Sequence, residues 1–284
     1  MKEFFGVFKT HVKRGILSPM FLICTVLCTA LMIIMVFDIY SRETYAYLSG
    51  QAEGLNYYLD RLRGKAHDYF MMMIMCFPAV MLFYEDWTSG NFKLIINRCG
   101  RAKYTFATIL SAGVIAAAVT IISYLIFSAF ILTKYPLIPT FEGASDFRVK
   151  VIGFPNAGLL YTGHEVLCYA LYILSQGARS AFYAAIALFQ SMIITNKHLT
   201  AISPVLLYIF YFTFNLFNIL PSVLNPYVLF WNGFRLYLVF GGAQDGSLFS
   251  PIAAAYPFIY CAVMLTALAL IGTKILRVKM NRSI

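Results

Sequence analysis

Charge is what this chain has least of. Only 12% of its 284 residues are acidic or basic, about half the share of an ordinary soluble domain. So few charges cannot clothe a water-facing surface around a chain this long, which argues against a conventional soluble fold. Histidine is down to four residues. His11, His67, His164 and His198 are far apart and flank apolar runs, so each reads as a neutral polar flank rather than a ligand or a base. Cys24, Cys28, Cys76, Cys99, Cys168 and Cys261 contain no CxxC pair, and all but Cys99 lie in apolar runs. That excludes a disulfide framework or a zinc site and leaves buried, inert thiols.

Catalytic motifs are missing too. There is no GxxxxGK[ST] loop, so the chain does not bind ATP by that route, and Gly241-Gly242 lacks the lysine that would follow. HExxH, GxSxG and a glutamate pair with a downstream histidine are all absent. No catalytic and no metal-ligating constellation is expected.

Apolar surface is abundant: 61% of residues are hydrophobic, and mean hydropathy is +0.75. The apolar residues come in runs of about 18 or more, the length a hydrocarbon core demands. The chain therefore reads as a single all-α, polytopic membrane domain over residues 1–284. Its net charge of +10 would suggest nucleic acid in a soluble protein. Here the bases cluster at membrane flanks, where topology and anionic lipid explain them and no nucleic-acid partner is needed. The first apolar run starts near Pro19 with no small-residue cleavage site after it, so no cleavable signal peptide is expected.

Residues 2–17 form an amphipathic segment. Phe4, Phe5, Phe8, Val12 and Ile16 recur at helical spacing against Lys2, Lys9, Lys13 and Arg14, as in a helix lying in the membrane interface. Ser18-Pro19 reads as an N-cap and first-turn proline. Six spans are expected, at about 19–38, 67–84, 104–132, 171–195, 200–220 and 251–273. Pro78 is placed to kink the second. The third carries small-xxx-small pairs, Ala107/Ser111, Ala112/Ala116 and Gly113/Ala117, that permit close helix contact. Residues 221–250 are too short and too interrupted to cross, and read as a re-entrant or external hairpin between spans five and six.

Six spans put both termini on one side. Lys2, Lys9, Lys13, Arg14, Lys93, Arg98, Arg101, Lys103, Lys197, Lys274, Arg277, Lys279 and Arg282 all fall there. Glu43, Glu53, Asp60, Glu142, Asp146, Glu165 and Asp245 fall in the opposite loops. Short loops rich in unpaired bases belong in the cytoplasm.

Between spans two and three lies a polar stretch, 85–104. Trp87-Thr88-Ser89-Gly90 reads as a turn. Asn91 is placed to cap a short helix that Gly100 ends. Phe92, Ile95 and Ile96 share one side of it, with Lys93, Asn97, Arg98 and Arg101 in water. Deeper in the chain, Arg179 either snorkels to the outer interface or faces a water-filled path or pairs with an acid such as Asp38, Asp68 or Glu165. Met71, Met72, Met73 and Met75 offer either a soft surface for apolar cargo or ordinary packing. Asn215 and Asn218 are expected to hydrogen-bond neighbouring helices.

Six spans, an amphipathic helix before the first and a charged helix between the second and third together resemble the permease subunits of ABC-2 type transporters. Glu85-Asp86, Ser89-Gly90, Arg98, Gly100-Arg101 and Lys103-Tyr104 carry the likeness, with Asn196-Lys197 before Ser203-Pro204. The resemblance implies that 91–103 is a coupling helix seated in a separate ABC ATPase subunit. Glu85, Asp86, Ser89, Asn91, Phe92, Ile95, Arg98, Arg101 and Lys103 would lie at that contact, and Phe4, Phe8, Lys9, Lys13 and Arg14 would belong to a connecting helix beside it. It further implies a pair of permease chains, most simply a homodimer, in a bacterial plasma membrane. ATP and Mg²⁺ would sit on the partner ATPase, with no cofactor in this chain. Met72, Gln176, Arg179 and Asn215 are the substrate-path candidates. Overall the chain is most similar to small permeases that export amphipathic peptides, phenol-soluble modulins among them. Lipid, drug or antibiotic extrusion is the alternative cargo. From other classes, an intramembrane enzyme or a membrane anchor for a signalling complex stays open.

Overall fold

The computed structural model describes residues 2–47, 54–62, 66–138, 154–156, 158–194, 196–217, 219, 221, 224–226 and 251–282. The expected hairpin at 221–250, apart from 221 and 224–226, and the side chains of Asn215 and Asn218 lie outside the described residues. Every regular element described is a helix: α1 (Lys2–Ile16), α2 (Pro19–Tyr47), α3 (Leu55–Arg61), α4 (Ala66–Thr88), α5 (Asn91–Cys99), α6 (Arg101–Leu132), α7 (Gly158–Tyr161), α8 (Glu165–Ile193), α9 (Lys197–Leu216) and α10 (Pro251–Arg282).

Two helix starts follow directly from local chemistry. Ser18 Oγ accepts from the Phe21 N–H at 3.2 Å, so the Ser18-Pro19 cap forms as read and α2 begins at the proline. Asn196 Oδ1 accepts from the His198 and Leu199 N–H groups at 3.0 and 3.1 Å and caps α9. Pro78 sits inside α4, which runs through it without a break.

The bundle is built around α6, which packs against α1, α2, α4, α5, α8 and α10. Its small residues find their partner in α8. A Cβ on Gly113 would stand 3.4 Å from the Cβ of Ala181, and one on Gly177 3.7 Å from that of Ala117. The Gly113/Ala117 pair of α6 thus faces Ala181 and Gly177 of α8, and the two backbones approach closely. Thr120 Oγ1 donates to Ser180 Oγ at 2.7 Å in the same seam. On the other side, Ser123 Oγ of α6 donates to the Thr25 carbonyl of α2 at 3.2 Å.

Four described stretches are long and apolar enough to cross a bilayer: Pro19–Val36, Phe70–Thr88, Arg101–Leu132 and Pro251–Asn281. The stretches expected as spans four and five differ from these. α9 has an apolar part, His198–Phe214, shorter than the other four. α8 is long, at 29 residues, but its Gln176, Arg179, Ser180 and Ser191 lower its hydropathy. The physical reason is that α8 is wrapped by α4, α6, α9 and α10. A helix covered by protein needs no lipid-facing stripe around its whole circumference. Arg179 and Gln176 are fully buried within this packing, so Arg179 does not snorkel to the outer interface. Met71, Met72 and Met75 are likewise fully buried, packing core rather than offering a surface.

Candidate docking surface at the α1–α5 end

α4 ends where its last hydroxyls turn back on the backbone. Ser89 Oγ donates to the Glu85 carbonyl at 2.7 Å and Thr88 Oγ1 to that of Tyr84 at 2.9 Å. Gly90 then adopts φ +73, a left-handed conformation that reverses the chain into α5. Gly100, at φ +85 and ψ +153, makes a second corner into α6. The helix expected at 91–103 is therefore divided, with Arg101 and Lys103 in the first turn of α6. The cap also differs from the expected one. Gly90 occupies the cap position and Asn91 is the first helical residue.

α5 is nine residues long and presents two faces. Phe92, Ile96 and Cys99 are buried inward. The Phe92 ring stacks on Trp87 with centroids 4.4 Å apart. Lys279 of α10 places its Nζ 4.2 Å from the Trp87 ring centre and donates to the Met192 carbonyl of α8 at 3.2 Å. The ends of α4, α8 and α10 are thus tied together beneath α5. Outward, Asn91, Lys93, Leu94, Asn97 and Arg98 are exposed. Leu94, 62% exposed, was grouped with neither face in the sequence. Its signal was available, since it sits two positions from both buried Phe92 and buried Ile96, on the opposite side of the wheel.

α1 carries a third face that its amphipathic pattern concealed. At roughly 100° per residue, Glu3, Val7, His11, Arg14 and Gly15 form a stripe between the phenylalanines and the lysines. That stripe seats α1 on the bundle. His11 is 1% exposed and not a solvated flank. Gly15 lies so close to α6 that an added Cβ would meet Ile115 Cδ1 at 2.2 Å. Phe5 remains 59% exposed. Phe4 and Phe8 are half-buried, with parallel rings 6.2 Å apart. Lys9 and Lys13 point into solvent.

The stripe closes on Asp86, fully buried at the end of α4. Its Oδ1 accepts from Arg14 Nη1 at 2.8 Å, and its Oδ2 accepts from the Tyr104 hydroxyl of α6 at 3.1 Å. His11 Nε2 lies 3.2 Å from the same Oδ2. One carboxylate therefore joins α1, α4 and α6. A buried carboxylate needs such partners, because removing it from water without them is costly. Glu85 beside it is 60% exposed and meets Arg14 Nη2 at 3.3 Å. Lys103 closes a further link by donating to Glu3. The adjacent ammonium holds the Glu3 carboxyl below the usual carboxylate range.

Between α1 and α5 runs an open groove of about 380 Å³, walled by Val7 and Thr10 on one side and Ile95 and Arg98 on the other. Of the expected contact residues, Ser89, Asn91, Arg98 and Lys103 are exposed, Ile95 and Arg101 are half-buried, and Asp86 and Phe92 are interior. Met72, Gln176 and Arg179 are buried in the helix bundle. Among the described residues, no three histidine, cysteine or acidic side chains converge on a metal site. No family model, curated protein or solved structure matches the chain.

Proposed function

We propose that this chain is the permease subunit of an ATP-driven exporter of the ABC-2 kind, and that the outer face of α5 is its contact with a separate ATPase. The observation that carries the reading is α5 itself. A two-turn helix, braced by Trp87 and Lys279 and framed by two glycine corners, presents Leu94 among Lys93, Asn97 and Arg98 to the outside. A short stiff helix with an apolar tip and a basic rim suits insertion into a partner, and its bracing passes a push to α4, α6, α8 and α10 together. In this reading α8 and α9 cross with the four apolar helices. The 20 residues of α9 make roughly 30 Å of helix, one hydrocarbon thickness. Six crossings put both termini in the cytoplasm of a bacterial plasma membrane. ATP and Mg²⁺ belong to the partner chains, and two copies of this chain form the conduit. Amphipathic peptide is the proposed cargo, with lipid or drug extrusion as the alternative.

Co-purification tests the contact. The chain should retain a Walker-motif ATPase and stimulate its turnover. Lys93→Glu with Arg98→Glu should abolish retention and stimulation while membrane insertion stays normal. Retention and stimulation that survive this double reversal exclude α5 as the contact.

A further inference from the structure

A second groove opens on the other side of α1, and it does not depend on the ATPase reading. It has a volume of about 260 Å³ and lies where α1 ends, α2 begins and α4 passes beneath. Its upper wall is polar, with Arg14, Ser18 and Glu85. Its floor is Phe77, Pro78, Met81 and Leu82 of α4. Phe77 stands about 12 Å down the α4 axis from Glu85, within the apolar stretch Phe70–Thr88. The groove therefore changes from charged to apolar along the direction in which α4 enters the bilayer. That is the profile of one lipid molecule.

We propose that this groove binds a single phospholipid whose headgroup pairs a phosphate with a primary ammonium. Arg14 supplies the phosphate contact. Its side chain is 38% exposed. Nη1 is held by Asp86 at 2.8 Å, whereas Nη2 has only the longer contacts to Glu85 at 3.3 Å and the Leu82 carbonyl at 3.4 Å and can turn to a phosphate oxygen. Glu85 supplies the ammonium contact. Its existing pair with Arg14 is 3.3 Å long and solvated on both sides, a kind of pair that contributes little and exchanges easily. Arg14 keeps its shorter bond to buried Asp86 throughout, so lipid entry leaves α1 seated. One acyl chain lies against Phe77, Pro78 and Met81. The carboxylate is the selective element. The surrounding surface is basic and favours any anionic lipid, whereas Glu85 repels a headgroup with negative charge alone and hydrogen-bonds an ammonium that still carries protons. A quaternary ammonium lacks that donor.

The test is native mass spectrometry of the full chain released from nanodiscs of equimolar ethanolamine, choline and glycerol phospholipids with matched acyl chains. Wild type should retain one ethanolamine lipid at least about fivefold over either of the others. Glu85→Gln, at an exposed position, should erase that preference while total bound lipid remains. Met81→Trp, which fills the apolar floor, should lower retention of all three. Soluble phosphoethanolamine should compete poorly, since it lacks the chain. Equal retention of the three lipids by wild type, an unchanged preference in Glu85→Gln, or full competition by phosphoethanolamine would each overturn the proposal.

Discussion

Arg14 and Asp86 stand 72 positions apart in the chain and meet at 2.8 Å, with the carboxylate fully buried and the guanidinium reaching in from the surface. This contact, with Tyr104 and His11 on the same carboxylate, is what turns α1 from a helix lying on a membrane into a helix clamped to a bundle. It also separates two neighbouring acids. Asp86 is surrounded by donors from two other helices, whereas Glu85 is mostly in water.

The two acids should therefore differ sharply on removal. Asp86→Ala takes from the buried Tyr104 hydroxyl its carboxylate acceptor, from Arg14 its shortest contact and from buried His11 the neighbouring charge, and should destabilise the protein by about 3 kcal/mol. Glu85→Ala should cost no more than about 1 kcal/mol. Denaturation of the detergent-solubilised protein measures both. Limited proteolysis should show α1 released in Asp86→Ala alone. Adding Arg14→Ala to Asp86→Ala should cost less than the sum of the single changes, because both remove the same 2.8 Å contact. Equal effects of the two single substitutions would mean that Asp86 is not the clamp.

Gly15 is the steric half of the same clamp. Its place against Ile115 leaves no room for a side chain. Gly15→Leu should force α1 off α6 and destabilise by about 2 kcal/mol, despite the gain in helix propensity. Ile115→Ala opens space at that point, so the double variant should recover part of the loss relative to Ile115→Ala alone. Gly6, with open space around it, is the control, and Gly6→Leu should be tolerated.

The sequence made the starts of helices and the seams between them legible, and left their partners hidden. Ser18-Pro19 announced α2 because capping is local chemistry. Gly113 and Ala117 announced a close contact, but nothing in their spacing pointed to Ala181 and Gly177. The seating face of α1 was missed because a helical pattern is read from its apolar residues, and this stripe mixes an acid, a valine, a histidine, an arginine and a glycine. Its logic appears only once Asp86, Tyr104 and Ile115 are brought against it. Arg179 was ambiguous for a related reason. Hydropathy measures transfer from water and does not distinguish lipid from a neighbouring helix as the new surroundings. Gly100 is legible as the end of the short helix, as the structure has it, whereas its second role as the corner from which α6 starts at once is not, since a glycine that stops one helix does not say where the next begins.

Acid should loosen the outer link of α1 only at low pH. Lys103 holds Glu3 ionised below the usual glutamate range, which lies near about 4.3. A carboxyl with a depressed folded pKa stabilises above its unfolded pKa, and the contribution disappears as pH falls through the folded value. Proteolytic protection of the first turns of α1 should therefore hold at pH 5 and above and fall off below about pH 4. Glu3→Gln should remove that acid-dependent step and leave a constant, lower protection. If Glu3→Gln retains the same acid step, another group controls it.

The two glycine corners make a further distinction, because their backbones differ while their surroundings do not. A Cβ at Gly90 or at Gly100 meets nothing within 4 Å, so a substitution at either tests the backbone alone. Gly90 lies at φ +73 and ψ −2, near the left-handed region that asparagine tolerates. Gly100 lies at φ +85 and ψ +153, a region that glycine alone occupies readily. Gly90→Ala should cost about 1 kcal/mol, and Gly90→Asn only a fraction of that. Gly100→Ala should cost about 2–3 kcal/mol, and Gly100→Asn about as much. Because Gly100 aims α5 relative to α6, its variants should also lose protection at Phe92 and Ile96, measured by hydrogen exchange across 91–99. Rescue by asparagine at position 100 as complete as at position 90 would mean that the second corner relaxes into the left-handed region, and that α5 is hinged there rather than braced.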